Sequence, residues 1–395
     1  MKQRQGFNNT HLRNRNRGLV LQAVACGDAL SRIEIARRIG LTKMTVSNIV
    51  AEWIAEGVLA EKEVAETAAV GRNPVILEVR EDAPRAVGLY LSRGAASVIV
   101  STLTLEVTWR KSLPLAGEST ETLLEKIFQL IDGALAHLGA ASLPVRCMGI
   151  GVSAIGPLDA TSGTILRPTD FFGIRQLPLA GLLGERYGLP VVVNNDMNAS
   201  ALAEKLYGTG RAFDNFLYLG VTNGIGGGIL SGGRLYQDNS GFVGEIGHMS
   251  IDFNGPLCSC GRRGCLEAYA TMPLLLDRLQ AALGRAVTSA DLEEAWASPS
   301  GRAVLEDVAD KLSIALVNTV NLLDPQCILI GHEGARFPAA CIARIEEKVN
   351  SGILAAGFKS IAVAPSHFGP DAPLVGSACC IWQEIFSGHL PVLDK

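Results

Sequence analysis

Between His11 and Cys26 the apolar positions Leu12, Leu19, Val20, Ala23 and Val24 recur at helical spacing, and Gly27 follows as a stop. A second helix is predicted over Ser31–Ile39, where Ser31 and Glu34 have the spacing of a capping box. After the turn Gly40-Leu41-Thr42, Thr42 caps a third helix running from Lys43 to Glu56, with Val46, Ile49, Val50, Trp53 and Ile54 facing inward. Its outward face is small, polar and cationic at the helix start: Lys43, Thr45, Ser47 and Asn48. Past Gly57 the period shortens to two. Val58–Lys62 and Val75–Val79 read as strands of a hairpin whose tip contains Gly71-Arg72-Asn73-Pro74. Three helices followed by a hairpin form the pattern of a winged helix-turn-helix of α+β class.

The segment Glu81-Asp82-Ala83-Pro84 reads as a linker that closes a first domain at residues 1–82. Beyond it, Ala86–Leu91, Ser97–Leu103 and Glu106–Leu113 predict three consecutive strands, and a helix follows from Ser119 to about Leu138. Met148–Val152 and Pro190–Asn194 are apolar enough for buried strands. Phe216–Gly220 opens a second set, continued by Gly226–Leu230. Strands alternating with helices imply an α/β fold, and the similar openings near residues 86 and 216 imply two related lobes with a cleft between them.

A chain of 395 residues with 48% hydrophobic and 19% charged residues has the composition of a globular protein with a large core. It contains no apolar run long enough to span a bilayer and no signal peptide pattern, so the expectation is a cytoplasmic protein without a membrane partner. The net charge of −4 is unevenly placed: residues 1–50 carry nine Lys/Arg against two acidic residues, which leaves −11 on the remainder. A basic front end suits an anionic partner. Taken with the helix-turn-helix pattern, this places double-stranded operator DNA against Thr42, Lys43, Thr45, Ser47 and Asn48 in the major groove, with Arg72 reaching a minor groove or a phosphate. A small helical domain that binds no nucleic acid is the plainer alternative.

Of the nine cysteines, Cys26, Cys147, Cys327, Cys341, Cys379 and Cys380 sit in apolar contexts that suit buried thiols. The other three behave differently. His248, Cys258, Cys260 and Cys265 fall within eighteen residues, with glycines between them, and have the spacing of a closed tetrahedral zinc site of structural type. Glu245 and Glu267 flank these ligands, so a metal that pins the loops also pins two carboxylates.

The segment Gly244-Glu245-Ile246-Gly247-His248, with Cys258-x-Cys260-Gly-x-x-Gly-Cys265-x-Glu267 and Asn195-Asp196-Met197-Asn198-Ala199, resembles the ROK family (repressors, open reading frames and kinases) over nearly the whole chain. The resemblance implies a two-lobed actin-like ATPase domain behind the winged helix-turn-helix, covering residues 83–395. Lobe one would span about 83–194 plus the C-terminal helix, and lobe two about 195–378. It also implies a sugar site built from Asn195, Asp196, Glu245, His248 and Glu267. Carboxylates and amides suit a polyhydroxylated ligand because each can accept or bridge several hydroxyls. In the family's kinases the aspartate at position 196 is the general base.

The phosphate-binding stretches depart from the kinase pattern. Tyr90 stands where the metal-orienting aspartate belongs, Ser92 and Arg93 replace glycines, Thr222-Asn223 replaces Gly-Thr, and His332 replaces a second glycine. Phosphoryl transfer depends on metal-borne charge neutralisation, so these changes argue against an enzyme and for Asp196 as a sugar ligand. The loop Pro168–Ile174, through Phe171 and Ile174, is expected to alter a wall of the sugar site. The sequence therefore predicts a sugar-responsive transcriptional regulator, a repressor of carbohydrate genes, working as a homodimer or dimer of dimers and nucleoid-associated when on DNA. Its effector would be a sugar or sugar phosphate, and a regulatory protein partner is a further reading. An ATP-dependent sugar kinase with an accessory DNA-binding domain is the rival.

Overall fold

Capping chemistry sets the first domain. In the computed structural model, which describes residues 9–27, 30–63, 75–140, 145–168, 171–236 and 242–390, three helices open the chain: α1 (Asn9–Ala25), α2 (Arg32–Ile39) and α3 (Lys43–Ala55). Ser31 and Glu34 form the reciprocal capping box, and α2 stops at Gly40 in the left-handed conformation, φ 71°. The Thr42 hydroxyl caps α3 by accepting the Thr45 N–H at 3.1 Å. Val46, Ile49, Val50 and Trp53 are buried, while Ile54 is half-buried at the edge. The guanidinium of Arg17 lies 4.1 Å above the Trp53 ring and pairs with Glu52 and Glu56, so α1 is fastened to α3. Strands β1 (Leu59–Glu63) and β2 (Val75–Val79) pair antiparallel. The hairpin tip with Arg72 lies outside the described residues.

The presumed linker is no tether. Ala83 and Pro84 are buried, and the Arg85 guanidinium donates to the Glu81 and Ala83 carbonyls. Strand β3 (Arg85–Leu91) thus starts directly beneath the helical head, followed by β4 (Ala95–Ser101), β5 (Val107–Pro114) and helix α4 (Thr120–Gly139). The predicted strand Ser97–Leu103 ends early because Thr102 begins a turn. Its hydroxyl accepts the N–H groups of Thr104 and Glu106, and Leu105 takes φ 65°. Then come β6 (Cys147–Ala154), a short hairpin of β7 (Leu158–Asp159) and β8 (Thr164–Ile165), α5 (Leu179–Tyr187), β9 (Val191–Asn195) and α6 (Asp196–Tyr207). The second half holds β10 (Phe216–Val221), β11 (Ile225–Ser231), β12 (Arg234–Leu235), α7 (Glu267–Ala270), α8 (Met272–Leu283), α9 (Leu292–Ala297), α10 (Pro299–Leu323), β13 (Cys327–His332), α11 (Ala339–Gly352), β14 (Ala362–Pro365) and α12 (Ala372–Phe386).

The two five-stranded sheets repeat one topology. Their orders are β5-β4-β3-β6-β9 and β12-β11-β10-β13-β14. In each, the first strand pairs antiparallel with the second and parallel with the strand that returns after a crossover. The glycines at 226–228 serve packing: a Cβ at Gly228 would meet the Met197 carbonyl, and one at Gly227 the Ile246 side chain.

Helix α12 returns to the first sheet and is buried along nearly its full length. It approaches so closely that side chains are excluded. A Cβ at Gly151 would overlap the Ser377 carbonyl, one at Gly88 the Ser377 hydroxyl, and one at Gly376 the Ala199 carbonyl of α6. At its far end, Gly18 of α1 faces the Phe386 carbonyl at equally short range. One apolar core therefore runs from Leu21 and Trp53 in the head through Trp382 and Phe386 in α12 to Ala199 and Leu202 in α6. Gly376→Ala is expected to lower stability by about 1–3 kcal/mol in urea unfolding, the range for an overpacked core. Gly94→Ala, whose Cβ would meet open space, should leave the midpoint unchanged.

Candidate functional site

Strand ends deliver the polar side chains to the cleft between the sheets. Strand β9 stops at Asn195, which becomes the N-cap of α6: its side-chain oxygen accepts the Met197 N–H at 2.9 Å. Asp196 Oδ1 accepts the same N–H at 3.0 Å, and the residue is only 4% exposed. Across the cleft, Glu267 opens α7 and its Oε1 accepts the Ile225 N–H at 2.7 Å, joining α7 to the start of β11. Glu245 stands before the one-turn helix Ile246–His248. Gly244, at φ 90°, lies against the Gly227 backbone and fixes where this turn sits.

Together with Tyr90 and Arg93, the residues Asn195, Asp196, Glu245, His248 and Glu267 line one cavity of about 380 Å³. Glu245 is open to this cavity yet enclosed by its walls. Loss of solvation raises its carboxyl above the ordinary range; His248 counters this, and the charges of Glu267 and Asp196 add to it. Burial, then the charge of Asp196, keeps the Tyr90 phenol protonated well beyond its usual range. The cavity thus presents acceptor-rich carboxylates on one side and a phenol and a guanidinium on the other.

Beside Glu267, four donors converge. The Nδ1 of His248 is 3.8 Å from the Cys258 sulfur, the Cys260 and Cys265 sulfurs are 3.7 Å apart, and all four ligand atoms lie within 4.8 Å of one another. Gly261 and Gly264, at φ 87° and 70°, let the loop fold back on itself, and the Cys258 N–H donates to the Arg262 carbonyl at 2.7 Å. The backbone N–H of Arg262, followed by its guanidinium, pulls the Cys260 thiol down to about 6. The same guanidinium donates to the His248 carbonyl at 2.7 Å, tying the two ligand segments together. This group can hold a metal ion. Glu267 Oε2 sits 3.9 Å from His248 Nδ1, so the metal loop and the cavity share a wall.

On α3, Thr42, Lys43 and Asn48 are exposed, and Thr45 and Ser47 are half-buried beside them. The Thr42 and Thr45 hydroxyls bond each other at 2.8 Å. Met44 is 76% exposed on this face, an apolar side chain among the polar ones that the sequence pattern singles out. One sequence expectation fails. Phe171 and Ile174 are buried in the core of the first lobe and do not line the cavity; that wall is formed by Ile155, Gly156 and Pro157. An aromatic pair preceding a tight turn resembles a ligand wall in sequence, but Phe171 and Phe172 pack on each other and against the core of the first lobe. Tyr90, Arg93 and His332, which depart from the kinase phosphate pattern, have places of their own here: Tyr90 and Arg93 line the cavity and His332 lies behind Asp196.

The sequence model described as the ROK family matches residues 87–384. The chain belongs to the ROK family. It is 30% identical over 396 residues to a xylose repressor of Caldicellulosiruptor bescii, covering 96% of this chain and 98% of that protein. The crystal structure of a ROK family transcriptional regulator, described as a homologue of the E. coli Mlc protein, superposes with a TM-score of 0.82 at 26% identity, across 96% of this chain and 98% of that one. A ROK hexokinase from Thermus thermophilus gives 0.65 at 29% identity, covering 99% of the kinase but 76% of this chain. The ROK regulators thus match the head as well as the body. No helix among the described residues is long and apolar enough to cross a membrane. Elemental analysis of the purified chain should find about one metal ion per protomer, the content of a closed four-ligand site. Cys265→Ser is expected to bring it close to zero and to lower the melting temperature.

Proposed function

We propose that this ROK protein is a sugar-responsive DNA-binding repressor of carbohydrate transport or catabolism genes, with residues 1–82 reading DNA and residues 83–395 binding the effector. The observation that carries this reading is the apolar core shared by the head, α12 and α6, because α6 begins at Asp196 in the cavity wall. The full-length likeness to a xylose repressor and to an Mlc homologue supports it. A ligand that binds one arrangement of the lobes better than another shifts the population that can hold DNA.

Asn195, Asp196, Glu245, His248 and Glu267 are the proposed sugar ligands, and zinc is the proposed metal. A tetrahedron with bonds of about 2.3 Å to sulfur has sulfur–sulfur edges of about 3.8 Å, and the 3.7 Å between the Cys260 and Cys265 sulfurs fits that geometry. One nitrogen with three sulfurs is also a donor set that zinc favours. Bound zinc would fix the loop that carries Glu245 and Glu267. On the head, Thr42, Lys43, Thr45, Ser47 and Asn48 are the proposed major-groove contacts, with Arg72 for a minor groove or phosphate. A symmetric dimer would place two such helices on half-sites about 34 Å apart. Such a regulator works on chromosomal DNA in the cytoplasm.

The kinase reading is disfavoured by Tyr90. A neutral phenol brings no negative charge to hold and orient a phosphate-bound divalent ion, which a carboxylate would supply. Calorimetry with D-xylose, D-glucose and N-acetylglucosamine 6-phosphate, run beside operator anisotropy, tests the proposal. One of these ligands should bind and change operator affinity, and Asp196→Asn should weaken that binding about 10- to 100-fold, the range for hydrogen bonds to a charged group. Sugar-dependent ADP release from ATP that Asp196→Asn abolishes would overturn the regulator-only reading.

A further inference from the structure

Helix α6 and strand β13 meet behind the cavity at a polar contact that stops just short of forming. His332, the last residue of β13, is 4% exposed and takes the left-handed φ of 54°, uncommon for a residue with a side chain. Its backbone N–H donates to the Tyr218 oxygen at 3.1 Å, and its Nδ1 lies 3.0 Å from the same oxygen. The Ser200 and Ser366 hydroxyls also reach the phenol; with Nδ1 accepting the phenol's proton the ring proton sits on Nε2, the tautomer that the carboxylate facing that nitrogen favours. That nitrogen is fully buried and has no hydrogen-bond partner. Facing it is Asp196 Oδ2, at 3.8 Å. The ring has little freedom to turn away, since a Cβ at Gly220 would already meet both Met197 and His332 Nδ1.

We propose that His332 is a positioning residue of the effector site. Its Nε2–H closes onto Asp196 Oδ2 when sugar binds, orienting the carboxylate and linking α6 to β13 directly, and through Tyr218 to β10. This rests on Asp196 being a sugar ligand. Oδ1 is held by the Met197 N–H, so His332 would fix the second oxygen from behind. The remaining lone pairs would face the cavity, and an ionised carboxylate can only accept. The sugar must therefore donate a hydroxyl there, and an analogue lacking that hydroxyl should not engage the contact. A shift of about 1 Å between α6 and β13 brings the pair within hydrogen-bond distance, and burial away from water makes a completed bond favour the closed arrangement strongly.

The test uses the full-length protein and whichever of D-xylose, D-glucose or N-acetylglucosamine 6-phosphate it binds most tightly. His332→Phe keeps a ring but removes both nitrogens, and should weaken binding about tenfold, as for loss of a charge-assisted bond. His332→Gln, which retains a donor, should restore most of the affinity. In wild-type protein with labelled histidine, the Nε2 proton resonance, assigned by its absence from His332→Gln, should move downfield on saturation. That measurement decides the matter even if His332→Phe does not fold. Wild-type affinity in folded His332→Phe, or an Nε2 resonance that ignores bound sugar, overturns the role of His332 alone. If no sugar binds the wild type, or if Asp196→Asn binds as well as wild type, the sugar reading itself falls and takes this inference with it.

Discussion

Close backbone approach of α12 is the constraint on which the rest of the molecule depends. A helix can lie this near a sheet and a second helix only where glycine removes the intervening Cβ, and Gly88, Gly151 and Gly376 occupy those positions. The result is a rod of buried side chains with the first sheet on one side, α6 on another and the head at its end. Interiors packed to crystal density transmit displacement instead of absorbing it. A movement of α6 at Asp196 therefore cannot be taken up locally, because its neighbours along α12 have no slack.

The cavity contributes the opposite property. Asp196, Glu245 and Glu267 bring acidic groups into a confined space, where loss of solvation, and after it the charges of Glu267 and Asp196, raises the affinity of Glu245 for its proton. An acceptor-rich wall of this kind suits the hydroxyl donors of the proposed sugar. The His/Cys loop sets His248 next to Glu267, so a metal held there would also restrain that wall of the cavity.

Much of the architecture was legible because its signals are local. The capping box at Ser31 and Glu34, the glycine stop at Gly40 and the repeated strand openings near 86 and 216 each have a short-range physical cause. The convergence of His248, Cys258, Cys260 and Cys265 was equally readable, since spacing and glycine turns determine it. What escaped depended on distant partners. Ala83 and Pro84 carry the composition of a linker yet are buried, and Ala83 belongs to the apolar core that also holds α12, some three hundred positions later in the chain. Phe171 and Ile174 have the look of a ligand wall and belong to a core. His332 was weighed against the glycine it replaces, and only the third dimension sets it next to Asp196.

The buried junction at Ala83 and Pro84 also bears on how such a protein can diversify. A reading head joined by a loose tether can be exchanged like a cassette, carrying its specificity into a new host. Here the head's underside is finished by Trp382, Ile385 and Phe386 from the far end of the chain. If the head reads DNA as proposed, a new operator preference would arise through substitutions on the exposed face of α3, or else through recombination that brings a matching segment like α12 along with the new head.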